Sequence, residues 1–411
     1  MRFVLSLLIS IASTAACAEN VTIYGSDQFG TVIVIPADDE EEVSANLIFA
    51  AGAAEDGARE GLAHFAEHRA FVGAMRATGY RGSINAFTTL KTTEFATITD
   101  PGSLDDVIGF FEAVLSNEPI PEAAFETERT RISREIEVAS NAPIARQEFC
   151  AARMIVFANT PWQNCVIGQL NVLNALTADD VRAFQSAYYT PDRSVLVIAG
   201  SVDVVAVQAL IPPTRAPRWL GTPLVEPIIN HVGLTASSGI EGRMFIGYQA
   251  IDIQGALAPS EQSALAMFAS IWSLEDLQTA LSEALTESSF IVRDFEVLIE
   301  PTGPSMVLVT ITAELERGMT ADMARSAITK AIGELRVPDR NLLSSQRAAL
   351  AQQAAQPSVY HLLLLAHLRN RLAPLALPSL IEAFEALPVD VIQSLTSAIY
   401  SPASWQFISS S

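Results

Sequence analysis

The sequence predicts an α+β protein made of two similar α/β-sandwich halves, each a mostly antiparallel sheet packed with helices. Three observations carry this. The 411 residues are 50% hydrophobic, enough to bury more than one core. Short β-rich runs and helix-compatible segments alternate along the chain. Five prolines, Pro212, Pro213, Pro217, Pro223 and Pro227, fall between two stretches of about 200 residues in which that order recurs.

Taken in order, Arg2 followed by the largely apolar run to Ala15 and the small residues Ala16-Cys17-Ala18 has the form of an export signal, removed before Glu19. The run is too short to span a bilayer, and no later segment reaches about 18 uninterrupted apolar residues. A periplasmic or secreted protein is therefore expected, with lipid anchoring through Cys17 as the alternative. Thr31–Pro36 and Ala45–Ala51 are expected as strands, followed by a helix from about Gly61 and another from Pro121. Beyond the prolines, Arg243–Ala250 and Met306–Ala313 are expected as strands. Ser260–Ile271, Thr320–Leu335 and Asp339–Ala355 are expected as helices, the last two parted by Pro338. This recurrence suggests an internal duplication. The helix at Ser260–Ile271 then occupies the place of the one that begins near Gly61, and it contains no histidine.

Without Cys17, Cys150 and Cys165 remain as an even pair in an oxidising compartment, so a disulfide between them is expected. Closing a loop of about 15 residues would contribute on the order of 3 kcal/mol in the chain-entropy model. The formal charge of −21 repels phosphate backbones and excludes nucleic acid as a partner.

The chemistry concentrates in His64-Phe65-Ala66-Glu67-His68. At helical spacing His64 and His68 share a face one turn apart, as two ligands of one tetrahedral ion must. Glu67 can reach a water held by that ion without being a ligand. H-x-x-E-H is a recognised zinc motif, and it needs a third ligand. Glu128 and Glu135, two turns apart in the helix from Pro121, face one way; one could bind zinc while the other fixes a histidine tautomer. Spacing alone leaves Glu122, Glu126 and Glu137 as alternatives.

The run Gly61-Leu62-Ala63-His64-Phe65-Ala66-Glu67-His68, then Asn85-Ala86-Phe87-Thr88, then Ser133-Arg134-Glu135-Ile136 resembles the pitrilysin, or insulinase-like, metallopeptidase family, including its processing-peptidase branch. Pro161-Trp162 to Gly168, Leu176–Val181 and Tyr188-Tyr189-Thr190-Pro191 extend the likeness over about residues 22–210. The resemblance implies a zinc endopeptidase with one Zn2+ per chain. It makes His64, His68 and Glu135 the ligands, Glu67 the general base and Glu128 the supporting carboxylate. Asn85 and Ala86 would lie on the edge strand that pairs with an extended peptide substrate. The organisation expected is a signal at 1–18, a zinc-bearing domain at 19–211, a linker at 212–230 and a metal-free second domain at 231–411.

Several features depart from the family. His68 and Glu135 are closer in sequence than usual, the shortfall falling in Val72–Ile84, read as a shortened loop. Arg69 replaces an apolar residue and is expected to pair with a nearby carboxylate. Ser273-Leu274-Glu275-Asp276-Leu277 lacks the family's glycines, and no tyrosine lies between Tyr248 and Tyr360. The arginine–tyrosine pair that stabilises the oxyanion would then come from a homologous partner subunit in a heterodimer, or from a second copy in a homodimer. A non-catalytic peptide-binding or assembly subunit is the alternative function. His361 and His367, six residues apart and divergent on a helix, are expected as packing or surface residues.

Overall fold

The computed structural model describes residues 21–37, 40–141, 157–222 and 224, then 235–236, 244–252, 257–258, separate positions within 260–283, 294–301, 306–314, 321–374 and 377–410. The expected signal with Cys17, and Ser273–Leu277, lie outside these residues.

The first half runs β1 (Thr22–Ser26), β2 (Gly30–Pro36), β3 (Val43–Phe49), α1 (Leu62–Thr78), β4 (Asn85–Thr88), β5 (Thr93–Thr99), α2 (Leu104–Leu115), α3 (Glu122–Asn141), α4 (Leu170–Ala175), α5 (Ala178–Tyr188), β6 (Ser194–Gly200) and α6 (Val204–Leu210). The second runs β7 (Thr235–Ala236), β8 (Met244–Asp252), β9 (Asp294–Pro301), β10 (Met306–Glu314), α7 (Ala321–Glu334), α8 (Arg340–Ala354), α9 (Pro357–Arg369), α10 (Leu377–Ala386), α11 (Val389–Ile399) and β11 (Gln406–Ser410). Residues 260–262, 264–265 and 268 are helical, inside the expected Ser260–Ile271 segment. No described helix is long and apolar enough to cross a membrane.

The strand order makes the duplication visible. The first sheet is β1-β2-β6-β3-β5-β4 and the second β7-β11-β8-β10-β9. Counting from β2 and from β7, both read first, fifth, second, fourth, third. In each, the first and fifth strands pair in parallel, β2 with β6 and β7 with β11. The remaining pairs are antiparallel. A shared path of this kind with one parallel pair in the same place is the mark of a repeated unit.

Period-two alternation divides the first sheet between two cores. Val32, Val34, Leu47, Phe49, Leu196 and Ile198 face α1 and α2. Ile33, Ile35, Ile48, Val195 and Val197 face the second half, in one cluster with Leu364 and Leu368 of α9 and Val307, Val309 and Ile311 of β10. The central strands are apolar on both faces for that reason. The proline-rich stretch lies against this sheet: Arg215 and Arg218 pair with Asp192 at 2.7 and 3.0 Å, and the Thr31 hydroxyl donates to the Arg218 carbonyl at 2.9 Å.

Val72–Ile84 is not a loop throughout, because α1 continues to Thr78. Ala70, Gly73 and Ala74 keep the helical burial spacing, and Gly79, at φ 67°, closes the helix with its N–H on the Met75 carbonyl. The connection to β4 is thus only residues 79–84.

Candidate metal centre

α1 and α3 build the site. At the start of α1, the buried Asp56 carboxylate accepts from the Gly61 and Ala63 N–H groups, both at 2.8 Å. Burial pushes the Asp56 carboxyl up to about 7 against the pull of those two bonds. Gly61 itself, at φ 89°, meets the Gly168 backbone; its left-handed conformation disfavours a side chain, and one at Gly168 would collide with the Glu60 and Gly61 backbone. Asp56 sits five residues before the helix cap, outside any capping pattern, so only the structure reveals it.

α3 lies against α1 through Phe65 and Phe125, stacked with centroids 4.6 Å apart. The Arg129 guanidinium covers both rings at 5.6 and 5.0 Å. Phe125, Glu128, Ile132 and Ile136 form the buried stripe of α3, while Glu122, Glu126 and Glu137 are exposed. Burial therefore separates Glu128, and the partly buried Glu135 beside Ile136, from these exposed acidic neighbours.

The resulting geometry is compact. Glu135 Oε2 lies 3.4 Å from His64 Nε2 and 3.6 Å from His68 Nε2. One donor atom from each of the three residues lies within 4.8 Å of the others. Nitrogen and oxygen ligands about 2.0–2.1 Å from a tetrahedral zinc stand roughly 3.3 Å from one another, so this set fits that ion. His68 Nδ1 is 3.0 Å from Glu128 Oε2, an oxygen also 3.3 Å from Arg131 Nη1. With its proton on Nδ1, the His68 ring turns an Nε2 lone pair toward Glu135. Among the described residues, buried His64 Nδ1 has no hydrogen-bond partner.

The charges are tuned by this packing. Burial lowers the proton affinity of His68, but the hydrogen bond to Glu128 and the charges of Glu67, Glu135 and Glu128 outweigh it, leaving the ring above its ordinary value. The hydrogen bond with His64 holds Glu135 below the usual carboxylate range. Burial raises Glu67, although His64, His68 and the Thr88 hydroxyl pull the other way. Thr88 Oγ1 donates to Glu67 Oε2 at 2.8 Å. Its place in the Asn85–Thr88 run gave the strand but not this contact.

Asn85 and Ala86 lie on β4, which pairs with β5 and, among the described residues, has no partner on its other side. Arg69 is buried, but its guanidinium meets amides and a carbonyl where a carboxylate was expected. It donates to Asn117 Oδ1 at 2.5 Å, to Gln185 Oε1, and to the Glu118 carbonyl at 3.2 Å. The reason is local: Arg69 points one helical step away from the acidic face, into the junction of α2 with α5. His367 is buried against the Ala373 carbonyl, and burial depresses both His361 and His367 to about 4. Cys165 is disulfide-bonded; Cys150, its expected partner, lies outside the described residues.

Glu128→Gln is expected to weaken zinc binding by about 10–100-fold, the usual effect of losing an outer partner of a ligating histidine. A competition titration against a chromogenic chelator reads this directly, and unchanged affinity would remove Glu128 from the site.

Residues 32–168 match the family model "Insulinase (Peptidase family M16)" and residues 175–214 the model "Peptidase M16 inactive domain". The chain is 27% identical over 163 residues to the mitochondrial-processing peptidase subunit beta of Caenorhabditis elegans, covering 37% of this chain and 35% of that one. It is 29% identical over 198 residues to an uncharacterized zinc protease of Streptomyces coelicolor, covering 44% and 41%. The match thus spans about a third of the length of the first of these relatives. In fold, a protease from Helicobacter pylori superposes with a TM-score of 0.69 at 15% identity, covering 94% of this chain and 98% of that one. Pitrilysin gives a TM-score of 0.62 at 17% identity, covering 98% of this chain and 46% of that one. The first half thus matches insulinase-family (M16) models over residues 32–168 and 175–214, and the chain as a whole shares the fold of these solved structures.

Proposed function

We propose that this chain is the zinc-bearing subunit of a metalloendopeptidase that cleaves extended or unfolded peptide segments outside the cytoplasm, and that a homologous partner completes it. The observation that carries this reading is the convergence of His64 Nε2, His68 Nε2 and Glu135 Oε2 beside a buried carboxylate and an open strand edge.

Bound by those three residues, zinc supplies a Lewis acid that polarises a scissile carbonyl and acidifies water. Three protein ligands leave a position open, the pattern of catalytic sites. Glu67, held by Thr88 and raised by burial, accepts the proton of the attacking water and passes it to the leaving amine. β4 offers its free backbone groups to an extended peptide, which favours conformation over sequence as the basis of selection.

Support for a partner comes from the second half. Tyr360 is fully buried, and Arg369 and Arg371 are bound to carboxylates, so none of them is available to an oxyanion. The periplasmic protease PqqL of Escherichia coli, superposing with a TM-score of 0.65 at 15% identity, is matched over 48% of its length by 96% of this chain. A second unit of similar size thus accompanies this fold there. The export-signal pattern at 1–18 supports the location.

The test uses the full chain and a quenched peptide library, with and without a co-encoded relative that bears arginine and tyrosine but lacks the histidines. Chelation is expected to abolish turnover and zinc to restore it. The partner is expected to raise the rate by about 10²–10³, the usual worth of an oxyanion stabiliser. Turnover indifferent to chelation would overturn the zinc enzyme, and full activity without a partner would overturn the divided site.

A further inference from the structure

The second half carries no metal motif, yet two of its arginines reach the first half beside the site. Arg369, the last residue of α9, donates from Nε and Nη2 to Glu94 Oε2 and Oε1 at 2.8 and 3.0 Å. Glu94 is 0% exposed on β5, and Asn46 Nδ2 also donates to its Oε1 at 2.9 Å. Glu94 stands opposite Phe87 of β4, and the Arg369 guanidinium lies 5.5 Å from the Phe87 ring centroid. The next residue along β4, Thr88, turns to the other face and holds Glu67. One four-residue strand is therefore gripped from the second half on one face and from the metal helix on the other.

Arg371 extends the grip. It is 4% exposed and adopts φ 60°, a left-handed conformation that a side chain takes only when its surroundings hold it there. Its Nη1 and Nη2 donate to Glu55 Oε1 and Oε2 at 2.7 and 2.5 Å, and its Nε donates to the Lys91 carbonyl. Glu55 in turn accepts from the Gly52 N–H at 2.8 Å, just before Asp56 caps α1. Lys91 Nζ reaches back to Asn370 Oδ1 at 2.7 Å. Among the described residues, Glu55 and Glu94 have no ion-pair partner other than these two arginines. Docking of the halves does not depend on the arginines, because α9 already buries Tyr360, Leu364 and Leu368 in the shared core.

We propose that Arg369 and Arg371 are positioning residues through which the metal-free half sets the β4–β5 edge at its distance from the metal helix. This rests on the reading that β4 receives the substrate. The arginine fork matches each carboxylate at two points and so fixes orientation as well as distance. A buried carboxylate, Glu94, and a partly buried one, Glu55, whose counter-charges come from the other half make the edge rigid only when both halves are in place.

The test compares the full-length, zinc-loaded chain with Arg369→Gln and Arg369→Lys, each also carrying Glu67→Gln so that peptides bind without being cut. Amide hydrogen exchange is expected to quicken by about tenfold or more in residues 85–96 of Arg369→Gln, with α2 and β8 to β10 unchanged. Affinity for an extended peptide is expected to fall by about tenfold through lost preorganisation, with zinc stoichiometry intact. Arg369→Lys should fall between the two, since it keeps charge without the fork. Unchanged protection of 85–96 would overturn the proposal, as would loss spread evenly over both sheets, or lost protection with undiminished peptide affinity. If the parent chain binds no peptide, the substrate reading fails by itself, and the exchange pattern still decides whether the arginines position the edge.

Discussion

Glu67→Gln is expected to lower peptide turnover by about 10²–10⁴-fold while the chain keeps its zinc. Glutamine has the shape of glutamate and can still accept from Thr88 Oγ1, so the strand edge and the ligands stay in place. What it lacks is a site that takes a proton from water. The loss should appear in kcat, with KM little changed, because the interaction removed belongs to the transition state. Stability should move the other way. Burial raises Glu67 in the metal-free folded chain, so its contribution is fully present below the unfolded carboxylate pKa and is lost as pH rises through the higher folded one. At neutral pH the metal-free glutamine variant is therefore expected to melt at or above the parent. Equal turnover in variant and parent would remove Glu67 from the chemistry; a lower melting point would contradict the burial argument.

Loss of the metal is the second large effect. Glu135→Ala removes the one anionic ligand and leaves two imidazoles one turn apart, and zinc affinity is expected to drop by more than the roughly 10–100-fold of an outer partner. Metal analysis after dialysis should find zinc in the parent and little in the variant, with peptide turnover falling in proportion. The parent's affinity should also depend on pH in a defined direction. Zinc requires a deprotonated Nε2, and His68 holds its proton above the ordinary histidine value. Affinity should thus begin to fall at a higher pH than for an unperturbed imidazole. Glu128→Gln, which removes a carboxylate that favours the protonated ring, should shift that onset downward even as it weakens binding at neutral pH. An onset unmoved by Glu128→Gln would mean that the contact at 3.0 Å does not set the ring's charge.

These residues were visible in the sequence because helical periodicity is local. His64, Glu67 and His68 occupy one turn, and the seven-residue step from Glu128 to Glu135 puts both carboxylates on one side of α3. Separating them from Glu122, Glu126 and Glu137 took the resemblance first and the Phe125–Ile132–Ile136 stripe afterwards. The duplication was legible only as an order of elements. Its proof is a strand path, and pairing between β2 and β6 joins residues more than 160 positions apart, which no local pattern encodes. Arg369 to Glu94 and Arg371 to Glu55 are invisible for the same reason. Arg69 shows a different limit: an arginine directly after His68 on the metal helix suggested a carboxylate partner, but its direction on the helix took it to Asn117 and Gln185. The length of α1 was underestimated because Val72–Thr78 was measured against a family loop, while Phe71 and Met75 continue the partly buried face as far as the Gly79 cap.

The most direct test of the central claim is anomalous scattering at the zinc edge from crystals of the full chain. A single peak bonded to His64 Nε2, His68 Nε2 and a Glu135 carboxylate oxygen, at about 2.0–2.2 Å from each, is the result predicted. A zinc-replete crystal with no peak between those atoms, or with the ion bound elsewhere, would contradict it.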